Sequence, residues 1–405
     1  MHSSGIRSTE KPDTFKRKML RRTQLHSAYI LQHYVISHKN NSIAHILLYA
    51  AGNRASIIHL IKYRNAMKNE NVVFYMTGWF RDTTAKQSYE ELKDILKNEE
   101  IIPIHVVKSG VIKWDLLVTA SPQKIWWIPA PKLYVGHGDG FKSFDGGKTK
   151  YPYEGELFAD RILEQRSSVI RAVERDYPIY RGHLVWSGGK DVDSIQEALS
   201  RRDRIRERMG IDNKKKVILV WGTFRSNSLF HVMGEKFLND LERLDKEKYV
   251  IILSIHPHEY RQYDKITKPM GPIIDTYAEK EGFIVRHPNQ DYVPYVVASD
   301  AMICDCSSGL DGAVIAGIPT VLLENRENVW VESDYMHMLD ETMTITPEDN
   351  VEEILDSLFG SRYEEMEYVS KKYGKELISE SESYSKVVCK TSKELIKSGI
   401  TEISR

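Results

Sequence analysis

The chain has 405 residues, with 57 Lys+Arg against 57 Asp+Glu, 41% hydrophobic residues and three cysteines. A net charge of zero argues against a nucleic-acid binder, which needs clustered surplus cations; Cys304, Cys306 and Cys389 are too few for a disulfide framework or a four-cysteine zinc site. A mean hydropathy of -0.43, with no apolar run approaching ~18 residues, leaves a soluble, roughly two-domain protein of a reducing cytoplasm as the expectation.

Residues 1–41 are predicted as a basic helical segment. Arg7, Lys11, Lys16, Arg17, Lys18, Arg21, Arg22 and Lys39 outnumber Glu10 and Asp13, and from Phe15 onward Met19, Leu20, Leu25, Tyr29, Ile30 and Leu31 supply apolar positions beside them. Two readings stand: a basic amphipathic helix on an anionic membrane surface, peripheral on its inner face, or a solvated helix packed on the first domain.

Residues 42–183 read as a first Rossmann-like domain. Strands are predicted at His45–Tyr49, Val72–Met76, Ile104–Val107, Leu116–Thr119 and Leu133–Val135, with helices at Arg54–Lys68 and Gln87–Lys97 between the first of them. Strands alternating with helices imply βαβ units and a parallel sheet. Residues 184–346 read as a second such domain. A charged helix ends at Gly210; strands follow at Val217–Trp221, Tyr249–Ile255, Ile284–Arg286, Ala301–Cys306 and Thr320–Leu323, and helices at Leu229–Leu244, Tyr292–Ala298 and Leu310–Ala316. Residues 347–405 hold helices near 349–359, 363–378 and 382–398, expected to return across the domains. The fold class is α/β, with two facing Rossmann-like domains. Ligands of such folds bind beyond the carboxyl ends of the strands, in a cleft.

Four strand ends carry chemistry. Gly136-His137-Gly138-Asp139-Gly140 leaves an imidazole between glycines, which suits His137 as a general base; a glycine-rich turn that happens to hold a histidine would look the same, and Asp139 either orients the ring or caps the next segment. Gly222-Thr223-Phe224-Arg225 offers hydroxyl, amide and cation to an anionic group, or is a plain loop. His256-Pro257-His258 stops a strongly apolar strand with two imidazoles, better suited to phosphate than to metal, since no further ligands with diagnostic spacing accompany them. Asp305-Cys306-Ser307-Ser308-Gly309-Leu310-Asp311 opens a helix with two hydroxyls and a carboxylate one turn in. Its N-terminus is an anion site, with Ser307 and Ser308 on phosphate, or the serines merely cap the helix. Cys304 and Cys306 read as structural thiols.

In their order, the HG pair after the last strand of the first domain, Thr223-Phe224-Arg225, His256-Pro257 and Asp305-Cys306-Ser307-Ser308 resemble the CDP-glycerol glycerophosphotransferase family of teichoic-acid and capsule synthesis, best over residues 130–325. The resemblance implies a GT-B fold and transfer of a polyol-phosphate from a CDP-activated donor to a hydroxyl of a glycan or lipid-linked acceptor, releasing CMP, with no cofactor. It implies His137 as base on the acceptor and His256 as the group stabilising the breaking pyrophosphate. By the same resemblance Ser307, Ser308 and Arg225 contact donor phosphate; the local pattern of the strand ends adds Gly222, Thr223, His258, Gly309 and Asp311 to the expected nucleotide- and phosphate-binding residues. Asp139 stands where the family has a small hydroxyl residue, and Cys306 where it has an aromatic. The rival readings are a nucleotide-sugar-dependent GT-B glycosyltransferase, a UDP-sugar 2-epimerase and a non-catalytic binding scaffold.

Overall fold

The computed structural model describes residues 43–50, 54–78, 101–102, 104–108, 113–122, 124–136, 156–224, 226–260, 268–288, 290–326, 334–378 and 383–399. The predicted segment 1–41 and the helix at Gln87–Lys97 lie outside them. The first sheet is built from β1 (Ala44–Ala50), β2 (Val72–Gly78), β3 (Leu116–Thr119), β4 (Lys132–Tyr134), β5 (Arg161–Glu164) and β6 (Leu184–Trp186), in the order β2-β1-β3-β4-β5-β6. Helices α1 (Arg54–Ala66), α2 (Ile104–Lys108) and α3 (Ser167–Asp176) interrupt it.

Further along come α4 (Val192–Leu199), α5 (Arg202–Arg208), β7 (Lys216–Gly222), α6 (Leu229–Arg243), β8 (Tyr249–Ile255), α7 (Gly271–Asp275), β9 (Phe283–Arg286), α8 (Val293–Ala298), β10 (Ala301–Cys304), α9 (Gly309–Ala316), β11 (Thr320–Leu323), α10 (Asp334–Glu341) and β12 (Met343–Ile345). These strands form a second six-stranded sheet, β12-β11-β10-β7-β8-β9, parallel throughout. Helices α11 (Val351–Phe359), α12 (Tyr363–Gly374) and α13 (Tyr384–Ser398) end the described chain. The α/β class with two parallel sheets is as expected.

Contacts divide the chain into two compact units: Met1–Val135 with Phe158–Arg161 and Cys389–Arg405, and Gly136–Leu157 with Ile162–Val388. In the first, Leu47, Tyr49, Tyr75, Trp114 and Leu117 build an apolar cluster. Tyr63 Oη and Ser392 Oγ share a hydrogen bond of 3.0 Å, and Lys393 pairs with Glu70 at 2.7 Å, so the end of α13 is fixed to α1 and the turn after it.

In the second unit, every residue of β8 is buried, as are Val217 to Val220 in β7. A parallel strand covered on both faces must be apolar throughout, which is why these runs were legible. With Phe230, Phe237 and Leu241 from α6 they form one core, each fully buried side chain worth about 1.5–3 kcal/mol. At the amino edge of that sheet Asp300 accepts from Val217 N at 2.8 Å and pairs with Arg202 and Arg206 at 2.8 and 2.7 Å, tying α5 to β7.

At the opposite edge, register aligns Leu322, Cys304, Trp221, Ser254 and Arg286 in one row across β11, β10, β7, β8 and β9. The chain leaves the sheet within one residue of that row on every one of these strands.

The structure departs from expectation in several places, among them helices α3, α7 and α10, which the sequence did not lead one to expect. Ile104–Val107, predicted as strand, is the short helix α2; the parallel bridge to Met76 is made by Ile101 instead, and five residues are too few for periodicity to decide. Strands β5, β6 and β12, of three or four residues each, were not foreseen. The charged helix before Gly210 is two helices, α4 and α5.

Candidate active site at the edge of the second sheet

Asp305 follows β10 and is 4% exposed. Its carboxylate accepts from Thr223 N at 2.9 Å, Thr223 Oγ1 at 3.0 Å and Leu229 N at 2.8 Å. Both ends of the loop between β7 and α6 are therefore held by one side chain from a third element. Leu229 is the first residue of α6, and Ser228 before it makes no side-chain cap bond, so Asp305 does the capping from a distance. Burial pushes its carboxyl up to about 6 against the opposing pull of the Leu229 and Thr223 donors; at neutral pH it is ionised and accepting.

The segment from Asp305 leads into α9. Ser308 precedes the helix and forms no side-chain cap bond, and the Ser307 hydroxyl is buried without a hydrogen-bond partner. The positive end of the helix dipole lies here. A Cβ on Gly309 would stand 2.5 Å from the Trp221 ring, so only glycine lets the helix start rest on that indole. Trp221 is in turn flanked by Tyr292, edge-on at 5.6 Å, and by the Arg286 guanidinium at 5.0 Å. Arg286 donates to Ser254 Oγ at 3.0 Å and Gln290 O at 2.7 Å. Tyr292 donates to Asp191 at 2.6 Å, and burial followed by that carboxylate pushes its phenol well above the usual range.

Asp311, one turn into α9, pairs with Arg166, whose other nitrogen Nη1 reaches Asp334 at 2.9 Å. Ser168 Oγ also donates to Asp334, at 3.0 Å. Arg166 is 1% exposed, and loss of either carboxylate would leave a buried charge under-compensated. The Asp311 charge is thus matched by a cation at the very helix whose amino end faces an anion in the sequence-based reading.

His256 follows β8. Its Nδ1 accepts from the backbone amide of His258 at 3.1 Å, so the neutral ring carries its proton on Nε2, the state in which it donates. Phe224 stacks on it at 4.4 Å with 30° between planes and meets His258 edge-on at 4.9 Å. Beneath this turn Glu259 is buried, accepting from Met270 N at 3.1 Å and sharing 3.0 Å with His231 Nε2.

Of the residues singled out in the sequence, Gly222, Thr223, His256, His258, Ser307, Ser308 and Gly309 all stand at this one sheet edge, and Asp311 sits a turn behind it against Arg166. Arg225, His137 and Asp139 lie outside the described residues. Gly136, immediately before His137, has φ 68° and its carbonyl accepts from Lys190 Nζ at 2.7 Å. Sequence reasoning passed over Asp305, Phe224 and Arg166 as site residues. Asp305 and Phe224 stood inside quoted motifs; Arg166 had no local signal, its partners being 145 and 168 residues away.

The family described as CDP-Glycerol:Poly(glycerophosphate) glycerophosphotransferase matches residues 158–310, a segment holding all three motifs of the second sheet. No curated protein matches the chain. Among solved structures, a variant of the wall teichoic acid polymerase TagF is similar over 96% of this chain and 98% of its own, with a TM-score of 0.60 at 13% identity. A UDP-GlcNAc 2-epimerase from Neisseria meningitidis is similar over 87% of this chain and 100% of its own, with a TM-score of 0.56 at 11% identity. A glycosyltransferase from Rickettsia africae ESF-5 covers 88% and 100%, with a TM-score of 0.51 at 13% identity. At such identities the likenesses establish a shared GT-B framework, and the family match carries the chemistry. On that match the chain is a transferase resembling those of the CDP-glycerol:poly(glycerophosphate) glycerophosphotransferase family.

Proposed function

We propose that the protein transfers glycerol-phosphate, or a related polyol-phosphate, from a CDP-activated donor to a hydroxyl acceptor in the synthesis of a cell-surface polymer. The observation that carries this is the uncapped start of α9, where the buried Ser307 hydroxyl lacks a partner, at the same sheet edge as an imidazole whose Nε2 proton is set by a backbone amide. In this reading the donor diphosphate rests against Ser307, Ser308 and the α9 dipole. His256 donates to the phosphate oxygens as negative charge develops on departing CMP, and Arg225 adds a cation after β7. His137 takes the proton from the acceptor hydroxyl.

The family match favours CDP-glycerol as donor, and a structure of the TagF polymerase, similar in fold, is described with CDPG. The acceptor is a glycan or lipid-linked hydroxyl, and the basic segment 1–41 meets the anionic inner face of a membrane while the body of the protein stays cytoplasmic. Among the described residues no helix is long and apolar enough to cross a bilayer.

Incubating the protein with CDP-glycerol, CDP-ribitol and a set of nucleotide sugars, and identifying the nucleotide released, tests the reaction. CMP supports phosphotransfer; a nucleoside diphosphate would establish glycosyl transfer in its place. Sedimentation with anionic liposomes, with and without residues 1–41, tests the membrane contact, and equal partitioning would remove it.

A further inference from the structure

Phe224 is half-buried and is not part of the apolar core of the second unit; its ring meets His256 at 4.4 Å and His258 at 4.9 Å. The His256 ring is thereby held at two places, on one face by Phe224 and at Nδ1 by the His258 amide. Thr223, the residue before Phe224, is fixed through its amide and hydroxyl to Asp305, 82 residues away. Asp305 also begins the four-residue segment that delivers Ser307 and Ser308 to the start of α9. One carboxylate thus sets the backbone on which Phe224 stands and the strand exit from which the serines leave.

We propose that Phe224 is a positioning residue for the His256 imidazole, and that Asp305 acts through it, keeping the imidazole in register with the Ser307–Ser308 helix start. The proposal rests on the phosphotransfer reading above. Its physical basis is that a donor hydrogen bond to a developing charge works only if the proton points at the oxygen before the bond breaks, and a histidine side chain has several staggered rotamers open to it unless its surroundings select one. Edge-to-face and stacked ring contacts are geometrically selective; the three rings meet mutually, with His256 and His258 also 4.9 Å apart, so Phe224 covers one face of the imidazole and restricts its plane.

The test combines turnover with a direct view of the ring. Phe224→Leu is expected to lower kcat for CMP release from CDP-glycerol on the order of 10²-fold, with little change in KM, and Phe224→Tyr to restore most of it. In histidine-selective 15N NMR, with His256 assigned by the loss of its signals in His256→Gln, the wild-type ring shows widely separated Nδ1 and Nε2 signals. In Phe224→Leu and Asp305→Asn that separation narrows as the ring loses its single orientation; Thr223→Val, which deletes one hydroxyl bond and keeps the fold, moves it in the same direction by less. Unchanged His256 signals in Phe224→Leu and Thr223→Val, or a loss of kcat that Phe224→Tyr does not rescue, would overturn the proposal. If the wild-type protein releases no CMP from CDP-glycerol, the donor reading fails, while the NMR series still decides whether Phe224 and Asp305 position the ring.

Discussion

Helix α11 begins at Asn350, whose side chain accepts from Glu352 N at 2.9 Å and from Glu353 N at 3.4 Å. Helix α9 begins at Ser308, whose side chain makes no such bond, next to a Ser307 hydroxyl buried without a partner. Both starts carry a residue that favours helix caps and an acid in the first turn. In α11 the cap closes on itself and serves stability. In α9 the acid is turned onto Arg166 and the Ser307 hydroxyl has no partner among the described residues; in the proposed function that partner is donor phosphate. Between them stands α6, whose first amide is capped by Asp305 from another strand. A helix start therefore reveals its purpose by where its capping group is satisfied, and that is a tertiary property.

The contrast can be broken or sharpened by measurement. The largest effect is expected from His256→Ala, which should reduce CMP release about 10²–10⁴-fold, the range for a proton-donating group in a transition state, while thermal unfolding stays near wild type; near-normal turnover would remove His256 from the mechanism.

Next comes the pH dependence of stability carried by Asp305. The unfolded chain titrates it near 3.8 and the folded chain at about 6, so between those values the folded state holds the extra proton. Stability from this group therefore falls as pH rises through that window, and above it the full cost of about 3 kcal/mol is present. Denaturant titrations of wild type and Asp305→Asn across pH 4 to 7 should differ by this slope, falling with pH in wild type relative to the variant; parallel curves would show that the carboxylate is not held up by burial.

A smaller effect, about 1.5–3 kcal/mol of donor binding, is expected from Ser307→Ala, the usual worth of a hydrogen bond to a charged group. Steady-state kinetics should show KM for the donor raised about 10-fold or more, with melting temperature unchanged, because no protein partner is lost. The smallest is Asn350→Ala, which should cost about 1 kcal/mol of stability and leave KM alone. If the two substitutions instead exchanged their signatures, the distinction between a ligand-directed and a self-capped helix start would be void.

Much of the frame was readable without coordinates. Tyr249–Ile255 and Thr320–Leu323 are strands at the predicted bounds, because strands buried on both faces must be continuous apolar runs and such runs announce themselves. Arg161–Glu164 and Leu184–Trp186 were missed because three or four residues mixing charged or aromatic side chains carry no period. The site divides the same way: serines, histidines and glycines at the sheet edge stood in short contiguous motifs, each placed by the end of its own strand.

What the amino-acid order determined alone was the alternation of strands and helices, and so the edge at which polar strand ends collect. Which of those residues meet was decided only in three dimensions. Asp305 reaches Thr223 and Leu229 across 82 and 76 residues, and Arg166 reaches Asp311 across 145. The reason is physical: apolar periodicity is a local consequence of backbone geometry, whereas a buried carboxylate takes whatever donors the packed sheet brings to it, and nothing in its sequence neighbourhood records which those are.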